Sequence, residues 1–521
     1  MKVARLTDIG KKGFNVDLPS WDLPLAYLSE GANVRIRHGR VESFGGDAEW
    51  SDPGVHFNAG FLIPVLGGSS NFWIIAGRSA VYAFDGTTWS DISSASGYAA
   101  IGTDQELLWN GCMMGRIPVI NNPRVYPEYW SPQSGGQVLQ QLDFDSSNTF
   151  KDKGYSMKVL RNHKNYLFAL NLTEGAVDYP NTFRWSHPAD INGLPASWDE
   201  TDNAFLAGRR SIGANTGDIV DGLSLRDSFV IYSEKGVHVL YPRNDEFVWT
   251  TTELSSSVGL MSKDCLVQVE GNHVFLADGD IFLNDGQRLK SVIHNKFRSA
   301  IRDVIDEANY DRAFAFRNDH DKEVWFCVPS VDATYPDAAL IWNWRDDVWS
   351  YRGLDNTPFI ASGPISTGIT SWNSWSGNWD EGSGTWNSGE PKSLTDTVIG
   401  LDKDNSSLRY QDPVDGPENA YTSRVTRLGL DLGEGQDVVS TITRAYLHIE
   451  GAGEVDVQFG YQRHAGGPVT WGDVITMTPS EDRKVDLRVT GSLFCYSITS
   501  TDGKLWMLSG MDIEYENDGR R

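Results

Sequence analysis

Cysteine is scarce in this chain of 521 residues, with 4 in all, at positions 112, 265, 327 and 495. No two lie within metal-ligand spacing, which excludes a zinc module. Cys265, Cys327 and Cys495 sit in apolar alternating runs, where a thiol behaves as a small buried hydrophobe. Such sparse, scattered cysteine fits assembly in a reducing cytoplasm. Long apolar runs are missing too. None reaches the roughly 18 residues that a membrane-spanning helix needs. The stretch Met1 to Asp8 has no apolar signal region. Basic residues are in deficit, 45 Lys and Arg against 70 Asp and Glu, for a formal charge of −25. Tight binding to nucleic-acid phosphates needs Lys and Arg clusters, so this balance argues against it. The charge serves solubility, or it makes a surface that repels DNA instead of holding it.

Catalytic signatures are also lacking. There is no Gly-Lys-Ser/Thr phosphate loop and no Gly-x-Ser-x-Gly elbow. A sialidase-type Asp box places one residue between Asp and Gly and two between Gly and the aromatic. Asp85-Gly86-Thr87-Thr88-Trp89 lacks the spacer, and the run from Asp380 to Trp386 has one residue too many before its Trp. A carboxylate pair for glycoside cleavage is recognised by geometry, which sequence does not give. Asp402-Lys403-Asp404-Asn405 and Asp319-His320-Asp321 lack the Gly and closing Glu of an EF-hand and read as solvated turns, with an ion site as the alternative. His163, His187 and His238 are isolated and read as structural. No catalytic residue, metal or cofactor is expected.

What the chain has in quantity is aromatics and glycine: 19 Trp, 19 Tyr, 22 Phe and 52 Gly, against 8 Met. These favour sheets and turns over helices. Two distant stretches read as one unit, a strand, an Asp-centred turn and a Trp that opens the return strand. They are Ala80 to Asp91 and Leu340 to Tyr351, and each is a β-hairpin signature. Further strand pairs fall at 72–84, 159–170, 228–241, 267–284 and 312–328. Short strands recurring at this spacing predict a β-propeller over residues 51–412. Residues 1–50 read as an extended segment with a hairpin at Asn33 to Val41, available to close the propeller. One amphipathic helix is expected over His294 to Asn309, where Phe297, Ile301, Val304, Ile305 and Ala308 share a face. Beyond a boundary at Pro413 to Pro417, clean alternation predicts a C-terminal antiparallel β-sandwich over 413–521. There Ala445, Leu447 and Ile449, Val455 to Tyr461, Val485 to Val489, and Phe494, Tyr496 and Ile498 each present one apolar face.

Residues 362–390 stand apart as a Ser/Gly/Asn-rich loop. Trp372, Trp375, Trp379 and Trp386 recur along it. These rings pack on their own propeller, form a subunit contact or stack on a glycan; Trp is favoured at interfaces for its large, partly polar area.

Several stretches resemble one family. They are Asn33 to Gly46, Phe183-Arg184-Trp185-Ser186, Phe229 to Gly236, Phe275 to Asp280, the Trp-studded loop, and Trp506 through Arg521. The chain resembles the tail nozzle proteins of short-tailed bacteriophages, the tail tubular protein B or tail hub group. That resemblance implies a propeller with added β domains. It also implies a virion protein assembled in the host cytoplasm as a hexameric ring. The ring would sit below the tail adaptor, carry fibres or spikes, and pass genomic DNA through its channel without tight binding. It brings no catalytic residue and no small-molecule substrate. The alternative is a host-surface propeller that binds or processes glycans, which would gather several Trp and carboxylates in one concave pocket. A ring subunit would spend its Trp between neighbours. Replacing Trp372, Trp375, Trp379 and Trp386 by Ser should leave the monomer folded and reduce incorporation into tails, measured by virion protein composition. Normal incorporation would remove this segment from the interface.

Overall fold

The computed structural model describes residues 2–520, apart from 68–69, 132–137, 244–247, 295, 297, 299–300, 302–303, 365–395, 412–420, 433–434, 436 and 452. Among these residues the fold is all-β. Seven sets of four antiparallel strands form the blades of a propeller. Blades 1 to 6 use consecutive strands within 59–91, 110–141, 155–211, 219–255, 266–291 and 314–353. Blade 7 takes Ile360–Pro364, Asp396–Leu401 and Leu408–Gln411, and its fourth strand is Asp47–Ser51 from the other end of the chain. The first strand of each blade packs on the first strand of the next. The series runs Ala59–Gly67, Asn110–Met114, Tyr155–His163, Ile219–Leu225, Leu266–Val269, Phe314–Asn318 and Ile360–Pro364, then returns to Ala59–Gly67.

Stacked blades bury both faces of a sheet, so their strands read as continuous apolar runs instead of alternating ones. In blade 3, Leu167 and Ala169 face blade 2, while Phe168 and Leu170 face blade 4. Phe168 stacks on Phe229 of blade 4 with ring centroids 4.2 Å apart. Each large side chain buried between blades contributes about 1.5–3 kcal/mol. The two repeated units of the sequence are the third and fourth strands of blades 1 and 6. Their turns are held by a side-chain oxygen that accepts from two backbone amides: Asp85 Oδ1 from Thr87 and Thr88, and Asn343 Oδ1 from Arg345 and Asp346. Blade 5 has the same device at Asp285, which accepts from Gln287 and Arg288.

The N-terminal segment joins the propeller to the C-terminal sheets. Val34–Arg37 and Arg40–Ser43 form a hairpin whose turn residues, His38 and Gly39, take φ of 54° and 76°, the left-handed pair of a two-residue β-turn. One strand of this hairpin pairs with blade 6 at Tyr351, and the other with Trp506–Arg520 at Met507 and Leu508. A 10-stranded sheet therefore runs from blade 6 through the hairpin to Val438–Gly451 and Lys484–Gly491. The facing sheet has the order Glu30–Ala32, Ser423–Leu430, Leu493–Ser500, Val455–Gln462 and Val469–Met477. Ala445, Leu447, Val457 and Phe494 pack between the two sheets, in one core that continues into blades 4 to 6.

Cys265, Cys327 and Cys495 are buried, as their apolar runs lead one to expect, and so is Cys112. Residues 20–29 are pinned to the five-stranded sheet by Arg427, itself 2% exposed. Its guanidinium donates to the carbonyls of Ser20, Leu23 and Leu428, at 2.8, 2.6 and 2.6 Å. Burial pushes its pKa down, because carbonyls compensate a lost hydration shell less than a carboxylate does. The helix over 294–309 is shorter than its periodicity. Arg298, Ile301 and Val304 are helical, with Ile301 in the core, but Ile305 leaves to bridge Ser330. Phe297 and the expected boundary at Pro413 to Pro417 lie outside the described residues. A four-residue helix, Phe150–Lys153, is capped by Thr149 and Asp152 in a reciprocal box.

Arg427→Ala should strand the buried Leu23 carbonyl and the half-buried carbonyls of Ser20 and Leu428, and release residues 20–29 from the sheet. The expected loss is about 3 kcal/mol in urea unfolding, with new protease cuts within 15–29. An unchanged midpoint and cleavage pattern would show that the clamp is dispensable.

Candidate functional site

Two polar constructions stand out from the apolar stacking, one in the centre of the propeller and one between propeller and sandwich. At the centre, Arg161 lies in the first strand of blade 3, between the buried Leu160 and Asn162. It grips Asp221 of blade 4 in a fork, Nε to Oδ1 at 2.9 Å and Nη2 to Oδ2 at 2.8 Å. Nη2 also donates to Asp264 Oδ1 at 2.5 Å. Lys263 pairs with Asp264 and reaches the Trp109 carbonyl, ahead of blade 2, at 2.9 Å. The Asp264 amide donates to Asp221 Oδ2 at 3.0 Å, and its carbonyl accepts from Ala315 of blade 6 at 2.8 Å.

Local backbone makes this possible. A register shift between Ile219 and Asp221 turns the carboxylate inward, and Gly222 leaves room for the Phe229 ring. Two cations and two anions thus neutralise each other where an isolated charge would be costly. Burial raises the Asp264 pKa, but Lys263 and Arg161 outweigh it and hold the carboxyl below its ordinary range. Because side chains of blades 3 and 4 and of the segment leading into blade 5 meet the backbone before blade 2, this network crosses the propeller bore.

The second construction is a cleft of about 580 Å³ between blades 6 and 7 and the sandwich. Arg35, Arg37, Glu42 and Asp321 pair among themselves. Asp321 accepts from Arg37 at 2.5 Å and lies 3.2 Å from Arg35, and Arg37 reaches Glu42 at 2.8 Å. Burial raises the Asp321 pKa, but Arg35 and Arg37 outweigh it and lower it overall. Asp396, on the opposite lip, is pushed up by burial and by Asp319. Trp325 and Trp506 line the cleft but are 0% and 2% exposed, so neither offers a ring face to a sugar.

The remaining sequence-selected residues divide simply. Asp319 pairs with Arg317, and Asp402 accepts from the Asp404 amide, so both acidic turns hold themselves. Among the described residues, no three His, Cys, Asp or Glu side chains converge on a point where a metal would sit. His163 bonds Ser224 Oγ at 2.9 Å, His187 Nδ1 accepts from the Leu206 amide at 3.0 Å, and His238 contacts Thr216 at 3.1 Å. Burial pushes the Cys112 thiol up to about 12 and Cys495 to about 11, which makes both poor nucleophiles. Trp372, Trp375, Trp379 and Trp386 lie outside the described residues. Sequence reading missed Arg161, Asp221 and Asp264. The available signal was a charge inside an apolar strand, as in Val159-Leu160-Arg161.

No protein-family model matches the chain, nor does any curated protein. Among solved structures, one similar chain is the extracellular domain of the putative hybrid two-component system BT4673 from B. thetaiotaomicron. It is 11% identical with a TM-score of 0.27, over 62% of this chain and 41% of that one. The AfRom2 CNH domain is 8% identical with a TM-score of 0.36, over 72% of this chain and 100% of that one. The Neurospora crassa Pan2 WD40 domain is 8% identical with a TM-score of 0.37, over 72% and 97%. The propeller assignment rests on the strand pairing and closed ring described above.

Buried histidines set the acid response. His273 donates from Nε2 to the Ser224 carbonyl at 2.8 Å, so its Nδ1 accepts from Tyr232 Oη at 2.9 Å. Burial lowers the pKa of His273 and of His163 to about 4. Below about pH 6.5 the unfolded chain takes up these protons and the folded chain does not, so stability falls as pH drops. The expected loss is roughly 2 kcal/mol per histidine between about pH 6.5 and 5. Asp264 acts lower: its contribution is complete above about pH 4 and disappears as pH falls through its depressed folded value. Urea unfolding at a series of pH values checks this, and His273→Gln should flatten the slope. A flat wild-type profile from neutral pH to 5 would contradict neutral buried imidazoles.

Proposed function

We propose that the protein is a structural virion subunit: one member of a tail nozzle ring of a short-tailed bacteriophage, six copies around a channel through which genomic DNA leaves. The observation that carries this reading is the 10-stranded sheet that runs from blade 6 into the C-terminal sheets. Together with the shared core, it makes propeller and sandwich one stiff block instead of a mobile binding head. Stiffness of this kind suits a ring that transmits force and keeps a fixed bore. The residues that resemble nozzle proteins, from Asn33 to Gly46 and from Trp506 onward, supply the strands of this joint.

In this reading the DNA path lies between copies, because the network of Arg161, Asp221, Lys263 and Asp264 crosses the bore of each propeller. Acidic walls repel phosphates over about 8 Å at physiological salt, so only residues at the channel surface count. The protein acts by assembly and carries out no hydrolysis; its partners are its own copies, the tail adaptor, and fibres or spikes. The glycan alternative gains nothing from the cleft, whose two Trp rings are covered.

Electron microscopy of the purified protein and of tails tests the proposal. Six-fold rings with an open centre, no retention of duplex DNA at physiological salt and no release of reducing sugar from host polysaccharide are expected. A monomer that stays monomeric alone and with tail components, or one that cleaves polysaccharide, would overturn it.

A further inference from the structure

Sheet edges in soluble proteins are kept short, charged or covered, because an open edge templates pairing with another chain. Most described edges here obey that rule. Trp89–Asp91, Gln140–Gln141 and Leu289–Ser291 are two or three residues long. Lys484–Gly491 carries Lys484, Asp486 and Arg488, and the blade 6 edge is covered by the hairpin at Val34. Val469–Met477 departs from it. This edge of the five-stranded sheet is 9 residues long and exposed over most of its length, and Asp473 is its single charge. Trp471 is 37% exposed and Val474 55% exposed. Both lie opposite outward-facing positions, Trp471 against Gly460 and Val474 against Gln458. The Trp471 ring rests over Gly460, where a Cβ would stand 2.9 Å from it.

The charge selects the occupant. An antiparallel pair of this strand with its own copy, centred on Asp473, would set two carboxylates face to face, and each copy already carries −25. A strand with a basic residue at that place gains what the copy loses. We propose that Val469–Met477 accepts an extended segment of a partner protein as an added strand. Its apolar side chains would lie beside Trp471 and Val474, and a Lys or Arg would lie against Asp473. The register shift between Gln458 and Gly460 leaves an extra residue between Trp471 and Val474, so regular pairing divides into two short runs around Asp473. This inference does not depend on the nozzle reading.

The test uses two end-capped seven-residue peptides of alternating valine and threonine, one with a central lysine and one with a central glutamate. Hydrogen exchange of the full chain should slow at 469–477 with the lysine peptide, which should bind about fivefold tighter than the glutamate peptide. Asp473→Lys should reverse that order. Val474→Pro should abolish protection with the unfolding midpoint unchanged, since an edge strand tolerates proline; Val474→Lys serves if the proline variant fails to fold. Equal affinities, protection elsewhere, protection that survives both variants, or a self-dimer that Val474→Pro disperses would overturn the proposal.

Discussion

A propeller is a sheet ring that must be closed, and here closure depends on one short strand from the far end of the chain. Asp47–Ser51 completes blade 7 against Leu408–Gln411. Arg409 holds Asp47 through two bonds, 3.0 and 3.2 Å long, and Trp50 stacks on Tyr410 and meets Trp73 and Phe84 of blade 1 edge-on. Bringing strands more than 350 residues apart together costs loop entropy that grows only logarithmically with length, so a few well-packed aromatics suffice to offset it. The residues just before this strand are the hairpin that links blade 6 to Trp506–Arg520. Closing the ring therefore also fixes the sandwich.

The buried charges follow from that arrangement. Seven apolar inter-blade layers leave a central axis that side chains must fill or leave to water. Blades 3 and 4 and the segment leading into blade 5 fill it with a neutral set of two cations and two anions. The joint uses arginine differently. Arg352, 0% exposed, donates to the Gly46 carbonyl at 2.6 Å and lies over the rings of Phe44 and Trp325. Arg35 lies over Phe44 as well, 4.3 Å from its centroid. A planar, weakly hydrated guanidinium can stack on aromatics while its edge donates hydrogen bonds, which lysine cannot match. The arginines thus hold the seam between two β units by stacking as well as by hydrogen bonds and, at Arg35, by an ion pair with Asp321.

Much of the local structure was legible in the residues. Asp85 and Trp89 marked a blade turn, and the Asp-centred stretch before Trp349 marked another, although Asn343 is the residue that holds it. His38-Gly39 marked a hairpin, and the alternation after residue 440 marked strands with one buried face. The misses have a common origin. Ile305 continues a helical stripe, yet a bridge to Ser330 takes it out of the helix. Arg161, Asp221 and Asp264 went unmarked, yet Arg161 meets carboxylates 60 and 103 residues away in the chain. Periodicity reports the face a residue presents to its own element and carries no information on what later lies across that face.

The amino-acid sequence by itself determined that the chain is all-β, made of recurrent hairpins, acidic, and without a long apolar helix. Those properties are set by composition, turn chemistry and side-chain period, which act over a few residues. Only the tertiary structure decided that the described residues form seven blades, that the last is closed by Asp47–Ser51, that the bore is crossed by ion pairs, and that Val469–Met477 is left as an open edge. These depend on which strands meet, and pairing between distant strands is governed by ring closure and by shared cores, which no local window contains.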